Sequence, residues 1–159
     1  MSLMRNIGAY YRWADTKVIE LLSTLSEEEF NQESEGSKKS IAKLIQHLVL
    51  YYEINLHTYQ KGIYDDIKLK LSKMDQSQLL THWKEIIIRF EEILFTFPDT
   101  MKMPTPDMKI LDVPAEVYIF STTDHSTYHR GQIILLYKEI TNNEAVSTDH
   151  YSFITRSKE

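Results

Sequence analysis

An all-α fold, a four-helix bundle with a long connection between its third and fourth helices, is predicted by three features of this sequence. Breakers are few: only 4 of the 159 residues are glycine and 4 are proline, and Pro98, Pro104 and Pro106 fall together between residues 98 and 106. Long stretches elsewhere are therefore free to run helical. Apolar residues recur at three-to-four spacing through four segments, the mark of helices that each bury one face. Where sites occur in such bundles, they are built from inward side chains on facing helices. The length suits a single domain spanning 1–159, since ~100 to 200 residues is usual and such a core buries roughly two thirds of the unfolded surface.

The first helix runs from Met4 to Leu25, with Ile7, Tyr10, Tyr11, Ala14, Val18, Leu21, Leu22 and Leu25 as its stripe. Ser26 followed by Glu27, Glu28 and Glu29 reads as a short capped turn, and NQESEGSKKS around Gly36 as a polar loop. Ser40 caps a second helix over Ile41 to Tyr59, which ends near Gly62. The third starts at Asp75 or Ser77 and stops at Phe97, because Pro98 cannot continue it. MKMPTPDMKILDVP forms the long irregular connection, where MKIL and the ILDV piece are candidates for brief edge pairing. Asp112 before Pro114 signals the start of the fourth helix, Pro114 to Ile140, and the tail carries a short extra turn.

Composition narrows the function. With no cysteine there is no disulfide framework, no thiolate ligand and no cysteine nucleophile. A net charge of -5 without a basic stripe argues against wide contact with a phosphate backbone, so no nucleic-acid partner is expected. No apolar run approaches the ~20 residues of a bilayer span. The stretch MSLMRNIGAYYRW has no apolar core followed by a small-residue cleavage site, and a cytoplasmic protein is expected.

Chemistry concentrates in the histidines, His47, His57, His82, His125, His129 and His150. In DHSTYHRGQIILLYKE, His125 and His129 stand four apart, which places them within ~40° on one helix face and ~6 Å apart along the axis. Tyr118, Thr122, Leu136 and Ile140 share that side. Two imidazoles so placed are a helical chelate, and His47, on the second helix with Leu44, Tyr51 and Ile54, is the natural third ligand. Spacing alone leaves a second reading open, in which these are hydrogen-bonded histidines on buried faces. His57 lies roughly 15 Å beyond His47 along its helix and cannot share an ion with it. His82 and His150 read as surface residues.

YRWADTKVIELL, IAKLIQHLVLYYE and, most specifically, HSTYHRGQIILL resemble the DinB/YfiT-like family of metalloenzymes. The resemblance implies a four-helix bundle with a histidine triad, one from the second helix and two from the HxxxHRGQ segment, and so points to the same His47, His125 and His129. It also implies a divalent ion, zinc or nickel first and iron third, and a thiol-dependent S-transferase acting on a small molecule with a low-molecular-weight thiol as cosubstrate. A homodimer is implied as well. A metal-dependent hydrolase is the alternative, as is a noncatalytic module in which the ion staples two helices or serves as a sensor.

The neighbours of the triad carry further expectations. Gln132 lies within ~60° of both helix-four histidines and is placed to support the ion or its open position. Arg130 points ~100° away from His129, toward an ion pair with another helix or loop or a dimer contact. Gly131 weakens a helix by about 1 kcal/mol relative to alanine, so a close approach of another helix backbone is expected there. No catalytic residue is assigned: Asp15, Glu53 and Asp124 are the nearby acids, and Tyr51 is one turn beyond His47.

Overall fold

The structure, a computed structural model, describes residues 3–56, 63–93, 99–105, 107 and 109–156. Four long helices form the bundle: α1 (Leu3–Leu22), α3 (Ile41–Leu56), α5 (Gln76–Ile93) and α6 (Ala115–Thr141). The short helices α2 (Glu27–Asn31) and α4 (Ile63–Leu71), the strands β1 (Thr100–Pro104) and β2 (Ile110–Pro114), and α7 (His150–Thr155) complete the chain. The last residues of the predicted second and third helices, and His57, lie outside the described residues.

Each long helix buries the face that its apolar spacing marks. Tyr10, Tyr11, Ala14, Val18 and Leu22 of α1 are buried. Tyr10 and Ala14 pack with Phe153 of α7 in a second, smaller cluster, while Tyr11, Val18 and Leu22 meet Leu44, Ile45, Leu48 and Tyr52 of α3 and Leu79, Trp83, Ile86 and Phe90 of α5 around one core. Tyr118, Ile119, Ile133, Leu136 and Tyr137 of α6 close it. The capped turn after α1 is a full capping box: Ser26 Oγ accepts from Glu29 N–H while Glu29 accepts from Ser26 N–H at 2.8 Å. Asp75 is the residue that starts α5, its Oδ1 accepting from Gln78 N–H at 2.8 Å. α6 ends where Asn142 turns left-handed at φ 55° and donates its N–H to Lys138 O.

The packing order decides where a site can form. α1 packs against α5 and α6, and α3 packs against the same two, so the sequence neighbours α1 and α3 lie diagonally across the bundle. The connection through α2 crosses between them and brings α3 alongside α6.

Three parts of the fold differ from the sequence reading. α4 was not expected, because it is only 9 residues long and its apolar spacing is too brief to stand out. In the long connection the ILDV piece is a strand, but it pairs antiparallel with TMKMP rather than MKIL, in the register Thr100↔Pro114 to Pro104↔Ile110. This hairpin leans on both α3 and α6. Among the described residues no helix backbone approaches Gly131: a Cβ there would meet none of their atoms within 4 Å.

Candidate metal centre

His47 is carried by α3, and His125 and His129 by α6, across the groove where those helices meet. The three rings converge, with centroids 5.5 Å apart for His47 and His125, 4.7 Å for His47 and His129, and 4.5 Å for His125 and His129. One ligating nitrogen from each lies within 4.8 Å of the other two. Burial grades across the group: His129 is buried, His125 half-buried, and His47 exposed at the mouth.

Two contacts set the rings. Gln132 Oε1 lies 2.9 Å from His129 Nδ1. A carbonyl oxygen can only accept, so Nδ1 carries the proton and Nε2 keeps its lone pair. Tyr51 stacks on His125 with centroids 3.9 Å apart and planes 24° from parallel, which holds that ring flat against α3. Burial raises the Tyr51 hydroxyl above its ordinary range, while the side chains of Thr122 and Asn55 hydrogen-bond it and lower it.

The electrostatics favour neutral imidazoles. Burial lowers His125 to about 4, reinforced by His129 and His47 and opposed by Asp124. His47 is lowered by burial and then by Lys39; His129 is lowered by burial, with its Gln132 hydrogen bond working the other way. Neutral imidazole is the form that binds a metal. His125 Nε2 is buried with no hydrogen-bond partner among the described residues, a desolvated lone pair or N–H that costs free energy unless something satisfies it. Three neutral nitrogens converging at this separation, one of them orphaned, are a donor set that suits a divalent ion.

Behind the triad lies a buried polar network whose centre is Asp15, which is fully buried. Arg130 Nη1 donates to Asp15 Oδ1 at 2.8 Å, and Tyr52 OH and Trp83 Nε1 donate to Oδ2 at 2.8 and 3.1 Å. Tyr52 OH also lies 2.6 Å from Ser126 Oγ, and Arg130 Nη2 donates to Tyr10 OH and Thr127 Oγ1. Burial works against the Arg130 charge, and Asp15, Tyr52 and Tyr10 together outweigh it, leaving the guanidinium raised above its ordinary range. Each α6 histidine is thus followed by a buried residue, Ser126 or Arg130, that ties α6 to the Asp15 hub.

Residues 1–151 match the DinB family. The chain belongs to the DinB family. Among solved structures, YfiT from Bacillus subtilis, described as a probable metal-dependent hydrolase with an unusual four-helix bundle topology, is similar at 15% identity, covering 88% of this chain and 90% of that one with a TM-score of 0.62. That likeness is one of fold. No curated protein matches the chain in sequence.

Within this DinB-family fold the structure brings the nitrogens of His47, His125 and His129 together with Gln132 beside His129, and turns Arg130 away into an inter-helix ion pair. Of the acids, Asp15 is committed to Arg130, and Glu53 lies with Oε1 2.8 Å from His82 Nε2, not aligned as a hydrogen bond. His82 is therefore largely buried between α3 and α5 rather than on the surface. His150 is exposed at the start of α7, its ring edge-on to Tyr10 at 5.1 Å. The Asp15 hub was missed, although a signal existed: Asp15 stands at the centre of the apolar stripe of Tyr11, Val18 and Leu22, where an unpaired carboxylate is prohibitively costly.

Proposed function

We propose that this chain is a divalent-metal-dependent enzyme whose three histidines serve nucleophile activation, with transfer to a low-molecular-weight thiol as the reaction class and a small molecule as substrate. The observation that carries this reading is the convergence of the His47, His125 and His129 nitrogens within 4.8 Å, with no Cys, Asp or Glu joining the group among the described residues. Three protein ligands leave coordination positions open, the arrangement of catalytic rather than structural sites.

His47, His125 and His129 would hold a divalent ion, zinc or nickel by preference and iron as a third that imidazole accepts, and the ion would supply Lewis-acid chemistry that eases deprotonation of a thiol or a water at neutral pH. The residues of the chain do the rest. Gln132 keeps His129 in one tautomer, Tyr51 fixes the plane of His125, and the exposed His47 leaves the mouth open to a cosubstrate. The thiol is placed ahead of water on the resemblance of HSTYHRGQIILL to a family that includes thiol-dependent S-transferases; the three-nitrogen donor set itself suits either nucleophile.

Hydrolysis by an activated water is the second reading, supported by the likeness to the Bacillus subtilis protein described as a probable metal-dependent hydrolase. Elemental analysis of the purified protein tests the common premise: about one transition metal per chain is expected, and a protein that carries none and takes none up after dialysis against zinc or nickel overturns it. The holo-protein is then offered thiols such as glutathione or bacillithiol with a panel of electrophiles, beside a panel of esters and amides. Metal-dependent consumption of thiol supports transfer, and metal-dependent cleavage without thiol supports hydrolysis. Stoichiometric metal with no turnover on either panel returns the ion to a staple between α3 and α6, or a sensor.

A further inference from the structure

α6 is packed unevenly along its length. Apolar side chains hold its two ends, Tyr118 and Ile119 before the histidines and Ile133, Leu136 and Tyr137 after them. The residues that it buries in between are Thr122, Ser126, His129 and Arg130, all polar. An apolar stripe fixes the rotation of a helix by seating its ridges in grooves, and the turns that carry the histidines are built without one. The precision needed there is high. With side-chain tips ~5 Å from the helix axis, a turn of ~20° moves each ring nitrogen by ~2 Å, several times the roughly 0.5 Å that a preorganised site tolerates.

The buried network around Asp15 occupies those turns instead. A carboxylate only accepts, so the Tyr52 hydroxyl gives its one proton to Asp15 Oδ2 and receives one from Ser126 Oγ, 2.6 Å away. Consecutive residues on each helix therefore clamp α3 to α6: Tyr51 stacks on His125, and Tyr52 bonds Ser126. One turn on, Arg130 follows His129 and donates to Asp15 Oδ1 at 2.8 Å. Neighbours on a helix point 100° apart, so each histidine and the polar residue after it turn as one body while facing different partners. Hydrogen bonds to a charged acceptor are short and directional, and burial strengthens them, so they can hold an angle.

We infer that Asp15 is a positioning residue for the histidine triad: from α1 it fixes the rotation of α6, through Tyr52 and Ser126 at the level of His125 and through Arg130 at the level of His129. Trp83 Nε1, donating to Asp15 Oδ2 at 3.1 Å, steadies the carboxylate from the side of α5. All four long helices meet at this one side chain, with α1 supplying it and Tyr52, Trp83 and Arg130 reaching it from α3, α5 and α6. The direction of the rings is a property of the chain itself; the consequence for an ion rests on the metal reading proposed above.

Nuclear magnetic resonance of the chelator-treated full chain reads the ring positions without an ion. Stacking on Tyr51 shifts the His125 ring protons upfield by ring current, and His125→Gln and His129→Gln assign the two rings. Ser126→Ala and Tyr52→Phe cut the arm to His125 and are expected to move its signals toward those of an unstacked histidine. Asp15→Asn has one acceptor oxygen where the carboxylate has two, so it serves one arm at the expense of the other and is expected to move the signals of at least one ring. Zinc titrated against a chromophoric chelator is expected to bind each of these three variants about 10-fold more weakly than the parent. Ile86→Val, a buried change in α5 outside the network, is the control, expected to lower thermal stability while ring signals and zinc affinity stay at parent values. Ser126→Ala removes the least and carries the test if Tyr52→Phe or Asp15→Asn fails to fold. Parent ring signals in the folded variants overturn the inference, as does an Ile86→Val protein that shifts them as far. Moved signals with parent zinc affinity overturn the consequence for the ion. A parent that takes up no zinc sinks the metal reading alone, and the ring signals still decide whether Asp15 positions the triad.

Discussion

His129 Nδ1 donates to Gln132 Oε1 at 2.9 Å, a bond made within a single turn of α6. It selects the tautomer of His129 before any ligand arrives, which spares the metal centre the free energy of choosing one. Replacing Gln132 by leucine is expected to weaken metal affinity by about 10- to 100-fold with the fold intact. Competition with a chromophoric chelator measures it, and an unchanged dissociation constant would show that the bond is incidental.

Tyr51 supports His125, the other α6 histidine, through its ring, stacking on it with centroids 3.9 Å apart. Tyr51→Phe should therefore keep metal affinity, whereas Tyr51→Ala should lower it by freeing the imidazole. If the phenylalanine variant loses as much as the alanine one, the hydroxyl matters and the stacking account fails.

Arg130 and Asp15 form an ion pair that is almost fully buried, 2.8 Å between Nη1 and Oδ1. Arg130→Met strands a carboxylate in the core and should cost about 3–5 kcal/mol. Adding Asp15→Asn removes the stranded charge while still accepting from Tyr52 and Trp83, so the double variant should regain a substantial part of the loss. Urea unfolding of the four proteins in the cycle decides; additive losses would mean that the pair is not coupled.

The metal-free protein should lose stability in acid through the triad. All three imidazoles have folded values below the ordinary one near 6.5, and His125 is held at about 4, so the unfolded chain binds these protons more readily. Their contribution is complete above pH 6.5 and falls away as pH drops toward 4. Thermal melts of chelator-treated protein across that window should show this decline, and His125→Gln should flatten it. A variant with the same pH dependence as the parent would assign the decline to other groups.

Much of the fold was legible because helices are local. The periodic stripes on α1, α3, α5 and α6 follow from residues three and four apart, and the expected first-helix stripe from Tyr10 to Leu22 is the one that is buried, with Leu21 half-buried beside it. The capped turn at Ser26 was equally readable, since a capping box needs only a serine and a glutamate three residues on. α4 and the strand pairing were less so. A 9-residue helix offers barely two turns of pattern, and strand register depends on a partner that spacing does not name.

The centre divides along the same line. That His125 and His129 share a face, and that Arg130 leaves it, is dictated by 100° per residue and is written in DHSTYHRGQ alone. That His47 reaches them from about eighty residues upstream depends on α3 lying beside α6 rather than across from it, as α1 does. Likewise, Arg130 had to pair with something, but only packing selected Asp15, the carboxylate that α1 carries into the core. Local geometry sets which side chains look the same way; which face they look at is a competition among all the apolar faces for one core, and only the folded chain resolves it.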